Sequence, residues 1–101
     1  MAFGFVMDVP APVELYDALH AEINRRTAGR VDGLLVHVGR PTSSGFQVME
    51  TWETREQADS FNDDVVLPAL AELSGGRAQQ PPGREEFEPR GLIVPSAQVV
   101  V

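Results

Sequence analysis

Glu50 stands in the run "GFQVMETWE", two residues before the chain's one Trp, on the alternation that carries Val48 and Trp52 to the same side of a strand. A carboxylate on an apolar face must be compensated, because burying it unpaired is costly. Either it is ion-paired or hydrogen-bonded at the sheet margin, or desolvation raises its pKa and it moves a proton. Trp52 either fills the core at the end of its strand or lines an apolar pocket where a planar ligand stacks. Asn62 falls inside the apolar stripe of the next helix, where its amide satisfies a nearby carbonyl or points at a ligand oxygen.

Tyr16 and His20 lie one helical turn apart beside another apolar stripe. There His20 is a half-exposed boundary residue or, at the mouth of a pocket between helix and sheet, a general base near neutral pH. His37 sits mid-strand on the face opposite Glu50, the position of a satisfied interface residue. The candidate proton-moving residues are therefore Glu50 and His20. The candidate ligand-contacting residues are Trp52, Asn62, Tyr16, Phe61, Arg40 and His37.

Other chemistries are excluded or unsupported. The chain has no Cys, which removes disulfides, thiolate ligands and a Cys nucleophile. Its two His are isolated, and no element shows metal-ligand spacing. "NDD" at 62–64 reads as a solvated acidic patch, and "SGGR" lacks the strand and helix that would make it a phosphate loop. No metal and no cofactor are expected. A net charge of -7 and a pI near 4.6 argue against nucleic acid, which needs a basic stripe. The start lacks a basic n-region and no segment approaches the roughly 20 apolar residues of a membrane span, so a cytoplasmic protein is expected.

The elements that must position these residues are short. With 101 residues, 43% of them hydrophobic, the chain forms one domain over 1–101 with one modest core. "AFGFVMDV" reads as a first strand, ended by Pro10 and Pro12, with Pro12 in the first turn of a helix. That helix carries Leu15, Leu19 and Ile23 on one stripe and stops at Gly29 as its C-cap. "GLLVHVGR" and "FQVMETWE" form a hairpin across "PTSSG". With Arg40 opposite Phe46, one face takes Leu34, Val36, Val38, Phe46, Val48, Glu50 and Trp52. The other takes Leu35, His37, Gln47, Met49 and Thr51, and a single bulge would exchange these faces in part.

Thr54 followed by Gln57 is a capping box that opens a second helix directly after the strand. Its stripe is Ala58, Phe61, Val65, Ala69 and Leu73, and Pro68 should kink it. A polar loop and a last strand within "FEPRGLIVPSAQVVV" complete the order strand, helix, strand, strand, helix, strand. This is the split βαβ, ferredoxin-like α+β plan, an antiparallel sheet with both helices on one face. Leu35, Met49 and Val6 make the uncovered face apolar as well, and a second copy joined sheet to sheet would cover it.

"GFQVMETWETREQADSFNDDVVLPAL" resembles the third strand and second helix of the dimeric α+β barrel superfamily, in its antibiotic biosynthesis monooxygenase (ABM)-like branch. The strand ending in Trp52-Glu53, the helix-opening Thr54, Phe61 and the Leu67-Pro68-Ala69-Leu70 stretch carry the likeness. "VDGLLVHVGRPTSSG" matches the preceding strand and hairpin, so residues 31 to 73 are covered well and the ends weakly. The resemblance implies a homodimeric barrel and, among its activities, cofactor-free oxygenation or isomerisation of an apolar or aromatic metabolite. The haem-degrading branch uses a Trp and a proximal His on the second helix. Phe61 and Ala71 or a neighbour stand there, and no His follows His37, which counts against haem degradation. The alternative is a non-catalytic dimeric barrel that binds a small ligand or a protein partner. An empty, partly apolar cavity beside Glu50 favours catalysis, whereas one filled by Trp52 and Phe61 does not.

Overall fold

The computed structural model describes residues 2–74 and 83–94. Strand β1 (Phe3–Val9) leads to helix α1 (Val13–Thr27), then β2 (Leu34–Thr42) and β3 (Gly45–Trp52) form the hairpin. Helix α2 (Arg55–Phe61), a π turn (Asn62–Val66) and α3 (Leu67–Leu73) make one helical run, and β4 (Arg84–Phe87) is the last strand. The four strands lie in the order β2-β3-β1-β4 with antiparallel pairings, which is the ferredoxin-like arrangement. No helix among the described residues is long and apolar enough to cross a membrane.

Period-2 alternation places Phe3, Phe5, Met7 and Val9 opposite Trp52, Glu50, Val48 and Phe46. This inner face meets the helices, and Phe3, Phe5, Phe46, Val48, Trp52 and Ala58 form the buried core. The outer face carries Val6, Met49 and Val38, the latter two exposed, together with Phe87. The Phe87 ring lies directly over Gly4, where a Cβ would make it shift.

Two departures from the sequence reading concern β2. Ser43 and Ser44 alone join the strands, and Arg40 pairs with Gln47 while Pro41 pairs with Phe46. The register also shifts between Leu34 and Val36, so the bulge at Leu35 exchanges the faces of everything that follows. Val36 and Val38 turn to the outer face beside Thr51 and Met49. His37 turns inward, opposite Glu50.

The helices differ in detail as well. Pro12 is the N-cap of α1, and Ala28 takes the left-handed conformation that ends it (φ 54°), one residue before Gly29. Leu15, Leu19 and Ile23 share the expected stripe yet are only half-buried, because they face a cavity instead of a filled core. At the start of α2 the Gln57 N–H donates to Thr54 Oγ1 at 3.2 Å, as a capping box requires. Pro68 produces no simple kink. The bonding pattern lengthens ahead of it, and the Leu67 N–H donates to Asn62 O five residues back. Ala69 of the expected stripe is fully buried, Val66 and Leu70 line the cavity, and Leu73 is exposed. β4 falls in "REEF", earlier than expected. The expected "AQVVV" tail and most of the "SGGR" loop lie outside the described residues.

Candidate functional site

Between the inner face of the sheet and the helices lies a cavity of about 330 Å3. Its walls are largely apolar: Leu15, Leu19, Ile23, Phe46, Phe61 and Leu70 are among them. Trp52 and Phe61 do not fill it. Their rings pack together with centroids 5.4 Å apart, and Trp52 is 1% exposed, so it belongs to the core behind the cavity.

A hydrogen-bonded row of four side chains crosses the inner face. The Trp52 indole N–H donates to Glu50 Oε1 at 3.0 Å. Glu50 Oε2 lies 2.6 Å from His37 Nδ1, and His37 Nε2 lies 2.7 Å from the Tyr16 hydroxyl. The question of what compensates Glu50 is thereby answered: an indole on one oxygen, an imidazole on the other. Each member has a positional cause. Glu50 and Trp52 are two apart on β3, His37 is brought opposite Glu50 by the bulge, and Tyr16 reaches β2 across Gly39. A Cβ on Gly39 would collide with the Tyr16 ring, so only Gly lets the phenol approach His37.

Proton positions in this row follow from basicity and from donor inventory. A proton shared between a carboxyl group and an imidazole rests on the more basic nitrogen, and the Trp N–H can only donate. Glu50 therefore accepts on both oxygens, and singly protonated His37 carries its hydrogen on Nδ1. The lone pair on Nε2 then accepts the Tyr16 O–H. Burial, with the Glu50 and Asp17 charges behind it, pushes the Tyr16 pKa above the usual 10.0, so Tyr16 is a phenol at neutral pH.

This shift has a direct readout, since Tyr16 is the chain's one Tyr. Phenolate absorbance is expected to appear with a midpoint above 10.0 in the folded protein and to fall back toward 10.0 in denaturant. Because the folded pKa is the raised one, the associated stability is present below pH 10.0 and lost as pH rises through the folded value. A native midpoint at or below 10.0 would contradict the row as described.

His20 completes a cluster of three rings. It stacks on Tyr16 at 5.5 Å and on His37 at 5.7 Å, with interplanar angles of 15° and 14°. Asn62 also lines the cavity, placed there by the π turn that begins with it. Of the eight residues expected from the sequence, Glu50, His20, Tyr16, His37, Asn62 and Phe61 border this cavity. Trp52 stands behind it, bonded to Glu50. Arg40 is elsewhere: it donates to Gln47 Oε1 at 2.9 Å, and Gln47 donates to Asp8 at 3.0 Å, in a polar row across three strands away from the cavity.

Arg84, at the start of β4, was not foreseen. It closes one end of the cavity, with its guanidinium 4.8 Å from the Phe5 ring centroid and paired with Asp59 and Glu86, each at 2.9 Å. "REEF" has no apolar alternation to reveal it as a strand, and only pairing with β1 brings Arg84 inward.

No protein-family model and no curated protein matches this sequence. Solved structures do match in fold. A candidate antibiotic biosynthesis monooxygenase from Chloroflexus aurantiacus superposes with a TM-score of 0.63 at 21% identity, covering 92% of this chain and 97% of that one. NE2512, a protein of unknown function from Nitrosomonas europaea, gives 0.65 at 16% identity over 95% and 94%. A variant of SnoaB, a cofactor-independent oxygenase from Streptomyces nogalater, gives 0.55 at 17% identity over 91% and 96%. At these identities the likeness establishes the fold.

Proposed function

We propose, on the premise that this chain has the ABM-like fold, that it is a small cytoplasmic homodimeric enzyme that oxygenates a planar apolar or aromatic molecule without a cofactor. The observation that carries the reading is the Tyr16–His37–Glu50 row beside an open apolar cavity. Tyr16 Oη takes an acidic proton from the substrate as its own proton passes to His37 Nε2. Glu50 holds the resulting imidazolium. The substrate carbanion reduces O2 and a C–O bond forms, the proton held at His37 returns through Tyr16 to the peroxide, and the hydroperoxide loses water to leave a carbonyl. An activated methylene thus gives up both hydrogens as H2O, and O2 supplies both oxygens. Phe61, Leu19 and Asn62 would hold the substrate plane, and His20 would lie against the relay.

The dimer is supported by the outer face of the sheet, where Val38, Met49 and Phe87 are exposed. Thr51 Oγ1 is buried there with no hydrogen-bond partner among the described residues. Light scattering at micromolar concentration should return twice the chain mass, and a monomer would remove this part of the proposal. Catalysis is tested with anthrone, whose methylene is flanked by two aryl rings, in an oxygen electrode on chelator-treated protein. Expected is uptake of one O2 per anthrone, with anthraquinone and water formed faster than in buffer. Binding of anthrone without accelerated uptake would leave the non-catalytic ligand-binding barrel instead.

A further inference from the structure

The direction of the hydrogen bonds in the row decides what polar group a ligand can bring. Trp52 donates to one Glu50 oxygen and His37 Nδ1 to the other, so in singly protonated His37 the remaining nitrogen can only accept. The Tyr16 hydroxyl has a single hydrogen, and it is committed to that nitrogen at 2.7 Å. What Tyr16 has left to offer is its oxygen lone pairs. We infer that the polar end of the cavity is a hydrogen-bond acceptor, selective for ligands that present an O–H, a phenol or the enol tautomer of a ketone, over equally sized ligands that present only a carbonyl or ether oxygen.

A tyrosine in a ligand cavity is ordinarily read as a donor to a carbonyl. Here the Glu50 carboxylate reverses that role from two residues away along the row. A carbonyl oxygen or ether oxygen brought up to Tyr16 Oη meets lone pairs with lone pairs, whereas a phenol completes the row by donating into it. Burial makes the difference count, since a polar atom left unmatched away from water is penalised by more than a matched one gains. The inference rests on the cavity being the binding site proposed above.

The test is equilibrium binding of 1-naphthol, 1-methoxynaphthalene and 1,4-naphthoquinone, read by quenching of the single Trp and by calorimetry. It is run at about pH 8 for all three compounds. Expected is binding of 1-naphthol about tenfold tighter than either acceptor-only compound, the size of one well-placed hydrogen bond. In Tyr16→Phe that preference should fall to near unity, with unchanged circular dichroism and retained binding of 1-methoxynaphthalene. Equal affinities in the native protein, or tighter quinone binding, would overturn the inference while leaving the cavity as a binding site. A preference that survived Tyr16→Phe would overturn the assignment to Tyr16. If none of the three bound, both the inference and the proposed function would fall together.

Discussion

Glu50→Gln is expected to lower catalysed oxygen uptake by roughly a hundredfold to ten-thousandfold, the range lost when a general-base system is disabled. The substitution keeps side-chain length and volume, so the Phe5 and Val48 packing on either side is undisturbed. It cannot keep both bonds. Glu50 now accepts from two donors, Trp52 Nε1 and His37 Nδ1, and a carboxamide has one acceptor oxygen and a donor group. With the oxygen turned to buried Trp52, the amide N–H faces His37 and forces its hydrogen onto the other nitrogen. His37 Nε2 then donates to Tyr16 Oη, the relay runs backwards, and no carboxylate stabilises an imidazolium.

The ionisation of Tyr16 reports separately whether the Glu50 charge is felt at the phenol through the row. Burial is the main cause of the raised Tyr16 pKa, and the Glu50 charge is the next. Glu50→Gln removes that charge and should shift the phenolate midpoint downward, toward but not to 10.0. Lost activity with an unmoved midpoint would place Glu50 outside the relay.

Trp52→Ala is the second large effect, and it falls on stability. Trp52 is 1% exposed, packs on Phe61, and pairs across the sheet with Phe3 and Leu34. Truncating a buried Trp costs about 3–5 kcal/mol. A domain of this size has about 5–15 kcal/mol in total. The melting temperature should drop by at least about 12 °C, at about 4 °C or more per kcal/mol. Trp52→Phe separates the two duties of this residue. It restores most of the apolar volume, so most of the stability should return, but it removes the N–H from Glu50 Oε1. Unlike Glu50→Gln it leaves the carboxylate in place, so activity should fall less. A Trp52→Ala protein that melted within a few degrees of the native one would show that the core behind the cavity is not where the fold is held.

Several parts of this arrangement are visible along the chain. The split βαβ order follows from where period 2 gives way to period 3.6, most plainly at Trp52-Glu53-Thr54, where strand ends and capping box begins. Phe46, Val48, Glu50 and Trp52 fall on one face by alternation alone. Tyr16 and His20 flank the Leu15–Leu19–Ile23 stripe because helical spacing puts them there. That Glu50 would need compensation was legible too, since a carboxylate on an apolar face is costly unless it is paired. Less legible was β4, whose "REEF" is a strand only because β1 offers a free edge to it. Pro68 announced a disturbance, but that it would take the form of a π turn presenting Asn62 depended on how the helix packs.

Local periodicity therefore determined which elements form and which residues of each could face a common space, because side-chain direction within one element depends only on its own geometry. The partnership of His37 with Glu50 was decided by tertiary structure. A one-residue bulge at Leu35 reverses the faces of β2, and nothing in the composition of "GLLVHVGR" says at which residue the pairing will slip. Register is a property of two strands together. His37, assigned by simple alternation to the face away from the helices, stands for that reason in the middle of the hydrogen-bonded row, and Arg40 stands away from the cavity.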